Sequence, residues 1–397
     1  MKPLKRLLEK ITHGVLFTSS MVTSVTVLLV VLFLFREGLG LFNQTAVEKN
    51  LVVVVNPANP VGALTSKQLK DIFNQDITNW KDIGGSDGEI IIKSIDDLAG
   101  QFTEEELGKD FVNLPSLIEK YILDNGGVIA YFPQTYLKKE FRVKQIPLKK
   151  ISIKEFITGR EWYPTSQPAA VFGAAPLILG TLWVSLGAIL LALPIGLITA
   201  IYMAEVAGQR FRNILKPVVE LLSGIPSVVY GFFGLVVLVP LIQKVFRLDV
   251  GETALAGSIV LAIMSLPTII TIAEDAIRTT PRALKEASLA LGASHLQTLV
   301  RVTIPYAKSG IIAAVILGIG RAVGETMAVL MVTGNASVIP HTFLEPVRTI
   351  PATIAAELGE APFGGTHFKA LFALGIILFL MTFLFNMLVE TVKTRKI

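Results

Sequence analysis

The sequence contains no cysteine, which excludes disulfides, thiol catalysis and cysteine-ligated metals. Its four histidines, His13, His295, His341 and His367, are scattered without ligand spacing, so no metal site is expected. Charge is also scarce. Only 17% of residues are Asp, Glu, Lys or Arg, against 52% hydrophobic. The net charge of +5 is too modest to demand a nucleic-acid partner. No G-x-x-x-x-G-K-[ST] run is present, so the chain has no P-loop for a nucleotide phosphate. No nucleophile or acid–base pair stands out, and an enzyme is not expected. A mean hydropathy of +0.62 over 397 residues instead puts a membrane protein first.

A membrane-crossing helix needs roughly 20 predominantly apolar residues. Segments 15–35, 163–204, 221–243, 253–273 and 370–389 carry no charge, and 309–333 is apolar apart from Arg321 and Glu325. The expectation is therefore an α-helical polytopic protein with six transmembrane helices. The first run exceeds a signal-peptide core of about 7–15 residues. The flank Arg36-Glu37-Gly38-Leu39 holds no small-residue cleavage site, so a retained helix is expected. Pro176, Pro194, Pro226 and Pro267 lie in or near these runs. Such breaks persist at membrane depth where protein or a water-filled cavity satisfies the freed backbone groups.

Lys and Arg in short loops set orientation. Lys2, Lys5, Arg6 and Lys10 precede the first run, and Arg210, Arg212 and Lys216 follow the second. Arg278, Arg282, Lys285, Arg301 and Lys308 follow the fourth, and Lys393, Arg395 and Lys396 end the chain. The alternate loops hold only Lys244, Arg247 and Arg348. Both termini are expected in the cytoplasm of a cell-membrane protein. Residues 1–42 would form the tail and first helix, 43–160 an extracytoplasmic α/β insert, and 161–397 a core with five helices. Within the insert, Leu51-Val52-Val53-Val54-Val55 reads as a buried strand, 64–73 as an amphipathic helix, and Ile90-Ile91-Ile92 and Val128-Ile129-Ala130-Tyr131 as further strands. Beyond the fifth run, Thr349-Ile350-Pro351 reads as the start of a short helix on the outer face.

The most specific segment joins the fourth and fifth runs: Thr280-Pro281-Arg282-Ala283-Leu284-Lys285-Glu286-Ala287-Ser288-Leu289-Ala290-Leu291-Gly292. Thr280 can cap, Pro281 suits the first helical position and Gly292 a stop. A second short helix leads to Ile304-Pro305. Glu286-Ala287, Gly292 and Ile304-Pro305 resemble the "EAA" loop of ABC importer permeases, with Ser288 where that motif has alanine. The resemblance implies that Glu286, Ala287, Ser288, Gly292, Ile304 and Pro305 dock on a cytoplasmic ATPase.

Arg321 and Glu325 are one helical turn apart, so they share a face and can pair. An intramembrane charge is costly and faces a cavity or a partner, and an Arg fork suits tetrahedral oxyanions. Gly318-Ile319-Gly320-Arg321-Ala322-Val323-Gly324-Glu325-Thr326-Met327-Ala328 resembles the signature of PstC-type phosphate permeases, as does Gly224-Ile225-Pro226-Ser227-Val228-Val229-Tyr230-Gly231. This likeness spans roughly 165–397. It implies an ABC importer permease fold and a translocation path at Arg321, Glu325 and Thr326. It also implies the partners: a homologous PstA-type permease, two copies of an ATPase that binds the ATP and Mg, and an extracytoplasmic phosphate-binding protein. This chain itself would need no cofactor. Another oxyanion (sulfate or molybdate) and a membrane phosphate sensor are the rival readings.

The insert is similar to one lobe of PstS-type phosphate-binding proteins through Asn56-Pro57-Ala58-Asn59-Pro60, Ile77-Thr78-Asn79-Trp80 and Asp124-Asn125-Gly126-Gly127. That family's Ser-Gly-Thr anion loop is replaced by Lys93-Ser94-Ile95-Asp96-Asp97. Two aspartates repel phosphate, so the insert reads as a docking platform or regulatory lobe.

Overall fold

The computed structural model of the chain describes residues 2–47, 51–137 and 141–394. Arg395 and Lys396 lie outside the described residues, as do the side chains of Lys2, Lys5, Arg6, Lys10 and Lys393. Among the described residues, six helices are long and apolar enough to cross a membrane: Thr12–Asn43, Ala175–Val206, Ser227–Phe246, Ala254–Arg278, His295–Gly324 and Thr366–Met387. The fifth starts earlier than hydropathy predicts and ends nine residues sooner, at Gly324 rather than 333. The chain divides into two compact units. One holds 1–157, 163–172 and 361–373, and the other holds 158–162, 173–360 and 374–397.

The first unit opens with helix α1 (Lys2–Leu39), whose apolar side chains, Val15 and Leu16 among them, are exposed. Its α/β lobe is built on a sheet in the order β2-β3-β1-β4. Strand β1 (Leu51–Val55) runs antiparallel to β3 (Val128–Pro133) and β4 (Lys144–Gln145), and β2 (Ile91–Lys93) parallel to β3. An unbroken run of valines suits a strand covered on both faces. Val53 and Val55 pack with Leu69 and Ile72 of α2 (Ser66–Phe73). Val54 points the other way, toward Ile118 and Ile122 of α5 (Leu114–Asp124). Between them lie α3 (Ile95–Ala99) and α4 (Glu104–Leu107), and α6 (Ile153–Thr158) follows the sheet. Helices α2, α3 and α4 each begin with a reciprocal capping box: Thr65 with Gln68, Ser94 with Asp97, and Thr103 with Glu106.

The second unit is helical. Helix α7 (Ala175–Ile201) runs into a π turn at Tyr202–Val206, then α8 (Gln209–Gly224). The chain breaks at Ile225-Pro226 before α9 (Ser227–Phe233), with Pro226 as its N-cap, and continues into α10 (Val239–Phe246). Helix α11 (Ala254–Arg278) is the most buried span. The hairpin α12 (Arg282–Ala290) and α13 (His295–Thr298) precedes α14 (Ile304–Gly324), α15 (Met327–Val332), α16 (Ile350–Glu357) and α17 (Thr366–Thr394). Close approach between helices depends on glycine, as expected where lipid supplies no hydrophobic drive for helices to associate. A Cβ on Gly196 of α7 or on Gly318 of α14 would sit 2.8 Å from the Ile269 side chain of α11. A Cβ on Gly310 would overlap that of Ala276.

Two local expectations change. Thr280 does not cap α12. Pro281 occupies that position, and Thr280 is buried with its hydroxyl unpaired among the described residues. The helix after Thr349 forms with Thr349 as its N-cap, and one of its faces packs inward rather than lying free on a surface. Ile350, Ala352 and Thr353 are buried, and the Ile350 N–H donates to Thr181 Oγ1 of α7 at 2.9 Å.

Gly310→Ala should force α14 off α11 and cost about 1–3 kcal/mol, the usual penalty of overpacking. Gly320→Ala, with nothing within 4 Å of its Cβ, should be neutral or gain up to about 1 kcal/mol in helix propensity. Unfolding of the purified variants in detergent checks the contrast.

Candidate functional site

The residues expected on a translocation path, Arg321, Glu325 and Thr326, lie at a helix break. Helix α14 stops at Gly324 because Glu325 turns extended, at φ −71° and ψ 134°. Thr326 takes the N-cap position of α15, and its hydroxyl donates back to the Gly324 carbonyl at 3.2 Å. The break also corrects the expected Arg321–Glu325 pair. The extended residue carries the carboxylate off the helical face, and no ion pair joins the two among the described residues. Arg321 instead donates from Nη1 to Thr268 Oγ1 of α11 at 3.3 Å. It sits in the last turn of α14, where unpaired carbonyls give the helix end partial negative charge. Its position at the helix end adds to that bond a favourable placement relative to the helix dipole.

Beside the break lies an open apolar cavity of about 560 Å³, lined by Gly324, Thr326, Pro351, Ile354, Leu358 and Leu378 among others. Irregular backbone at membrane depth is tolerated where it faces protein or a water-filled space. Thr326 lies on the wall of this cavity, and Pro351 and Ile354 of α16 line it as well.

The hairpin holds Glu286, Ala287, Ser288 and Gly292 together. Gly292, at φ +84°, closes α12 as a Schellman cap: Ala293 N–H donates to the Ser288 carbonyl at 3.2 Å and Gly292 N–H to that of Leu289 at 2.9 Å. Ser294 then caps α13 in a box with Gln297. Ser288 faces inward, its hydroxyl 2.9 Å from that of Thr298. No residue of α12 is buried. Leu291 is 90% exposed and Leu296 69%, an apolar surface flanked by exposed Glu286 and Ala287. Lys285 forms an ion pair with Glu205 in the π turn that ends α7. Ile304 and Pro305 open α14 beyond a π turn at Leu299–Thr303 and are not part of the hairpin.

Sequence reasoning misses Glu274. Its side chain is 1% exposed at the end of α11, and Arg212 Nε of α8 bonds to it at 2.8 Å. Arg278 Nη1 lies at 3.6 Å and Lys216 Nζ at 3.8 Å. Loop counting treats these cations only as orientation signals, whereas the fold gives them a shared carboxylate. The (i, i+4) spacing of Arg212 and Lys216, and of Glu274 and Arg278, is the signal available in the sequence.

In the lobe, the start of α3 occupies the place where an anion loop is expected. The Ser94 N–H and hydroxyl both donate to Asp97 Oδ2, at 2.8 and 2.6 Å. These bonds, the hydroxyl's first, hold the Asp97 carboxyl below its ordinary range. Two donors at this helix start are therefore committed to the chain's own anion.

Residues 192–396 match the family described as the binding-protein-dependent transport system inner membrane component, and residues 26–184 match the PBP superfamily domain. The chain is 41% identical over 246 residues to the probable ABC transporter permease protein YqgH of Bacillus subtilis, covering 62% of this chain and 79% of that protein. It is 40% identical over 248 residues to the phosphate transport system permease protein PstC of Mesorhizobium japonicum, covering 58% and 75%. Among solved structures it is similar to an ABC-type phosphate transport receptor from Vibrio cholerae, at 28% identity and a TM-score of 0.20. That match covers 28% of this chain, which spans 50% of the receptor's length.

Glu274→Ala should destabilise the chain by about 3–5 kcal/mol, because three cations lose their buried partner. Asp275→Ala, whose side chain is 61% exposed and pairs with Lys216, should cost no more than about 1 kcal/mol. Denaturation in detergent separates the two.

Proposed function

The chain belongs to the family of binding-protein-dependent transport system inner membrane components, and on that premise we propose that it carries inorganic phosphate inward as one membrane subunit of an ABC importer. The observation that carries the substrate reading is Arg321. Its guanidinium stands at a helix break, held by Thr268 and free of a carboxylate among the described residues. A planar fork of donors suits a tetrahedral oxyanion, and an unneutralised cation at membrane depth favours an anion over a neutral solute. Thr326 adds a hydroxyl on the cavity wall. Glu325, released from the helical face, opposes over-tight binding by its charge. The names of the PstC relatives support the same substrate.

The rest of the proposal concerns assembly. A PstA-type permease completes the membrane pathway, and two ATPase copies bind the ATP and Mg. An extracytoplasmic binding protein delivers the anion. Leu284, Leu291 and Leu296 give the α12–α13 hairpin an exposed apolar surface of the kind that marks an interaction site, with Glu286, Ala287 and Gly292 around it. The Lys285–Glu205 pair fastens the hairpin to α7, so ATPase closure would pull on that span. In this arrangement both termini and the hairpin are cytoplasmic, and the lobe is extracytoplasmic.

In proteoliposomes holding the whole complex, Arg321→Ala should cut labelled phosphate uptake by about tenfold or more, the rate equivalent of ~1.4 kcal/mol. Uptake at the normal rate in that variant, or full inhibition of wild-type uptake by sulfate or molybdate, would sink the phosphate reading. Leu291→Asp should release the ATPase from the purified complex while leaving the permease folded, as judged by co-purification and size-exclusion chromatography.

A further inference from the structure

Residues 158–162 carry the chain from the first unit into the second before it returns to the first at 163–172, and this short strap is held within the second unit at Gly159, Glu161 and Trp162 among other points. Gly173 N–H donates to the Glu161 carbonyl at 2.7 Å, and Ala175 N–H to that of Gly159 at 3.1 Å. Both bonds hold the strap to the start of α7. The third point is Trp162, which is buried. Its indole Nε1–H donates to both carboxylate oxygens of Glu357, at 3.0 and 3.2 Å. The same carboxylate pairs with Arg348 Nη2 at 2.8 Å.

Glu357 and Arg348 stand at opposite ends of α16. Glu357 is its last residue, and Arg348 precedes its N-cap Thr349. A carboxylate at a helix C-terminus and a cation at the N-terminus both oppose the helix dipole. Neither charge is placed to stabilise α16 by itself. They make sense as partners of each other and of the strap. The N-terminal end of α16 is seated independently on α7, through Ile350 N–H to Thr181 Oγ1 and the close approach of the Arg348 carbonyl to Gly180. Glu357 therefore fixes the other end of the helix whose residues Pro351, Ile354 and Leu358 line the cavity beside Thr326.

We propose that Glu357 is a positioning residue for transport: through Trp162 it links the strap leaving the extracytoplasmic lobe to the helix that walls the cavity. A pull on the chain as it leaves the lobe is then felt at α16, and arrival of the binding protein reaches the path by this bond. The inference rests on the permease reading above and adds the residues that carry the outer signal.

The test uses the full complex in proteoliposomes, with ATPase rate measured with and without the phosphate-loaded binding protein, and labelled phosphate uptake alongside. In Trp162→Phe and Glu357→Gln, the basal ATPase rate per assembled complex should match wild type. Stimulation by the binding protein and uptake should both fall about tenfold, the size expected from losing a charge-assisted hydrogen bond. Glu357→Asp should recover part of both. Wild-type stimulation and uptake in both variants would overturn the inference. A parallel loss of basal rate would also overturn it, since that marks a plain structural role. A wild-type complex that takes up no phosphate would overturn the substrate reading instead.

Discussion

Ile269 sits in a notch cut from both sides. Gly196 of α7 and Gly318 of α14 each lack the Cβ that would strike it, so α11 can lie close to both neighbours. Lipid is as apolar as the helix faces and gives them little reason to associate, so packing contact supplies the attraction. Everything described at the break follows from this closeness. Thr268, beside Ile269 in the chain, reaches Arg321 because α14 lies close against α11. Farther along the same pair of helices, Gly310 meets Ala276, two residues past the buried Glu274.

The break in α14 has an electrostatic logic. A continuous helix would pair Arg321 with Glu325 and leave a neutral patch. Ending the helix at Gly324 separates them, and the guanidinium then donates to the Thr268 hydroxyl, a weaker partner than a carboxylate. On the proposed reading, such a site is satisfied well enough to exist in a membrane and poorly enough to welcome an anion. Intramembrane ionisable groups are tolerated on such terms when they face a cavity.

Much of this was legible in the residues and some was not. Apolar runs of sufficient length, five uncharged and one carrying only Arg321 and Glu325, marked the six spans, and the valines of β1 marked a doubly covered strand. The Gly292 stop and the helical hairpin around it could be read from turn chemistry. The end of α14 could not, because Gly-Glu-Thr carries no strong stop and the apolar run continues to Thr333. The burial of α16 was also hidden, since Ile-Pro-Ala-Thr-Ile-Ala-Ala suits a membrane surface as well as a bundle interior. Glu274 escaped notice because its bonded partner Arg212 is 62 positions away, and local charge counting treats such cations as loop residues. The lobe's missing anion loop was visible as two aspartates. That one of them would take the helix-start donors for itself required coordinates.

The Glu274 cluster has a consequence in time as well as space. Membrane helices acquire their orientation during insertion, when Lys and Arg beside each span bias which side they stay on. At that stage α8 and α11 have not met, and Arg212 and Lys216 lack the Glu274 carboxylate that Arg278 already has one turn away on its own helix. Only after the two helices meet do these two cations join it. A side chain that biases orientation early in the life of the chain can thus become a structural bolt later. A span threaded the wrong way would leave the buried carboxylate without the two cations of α8.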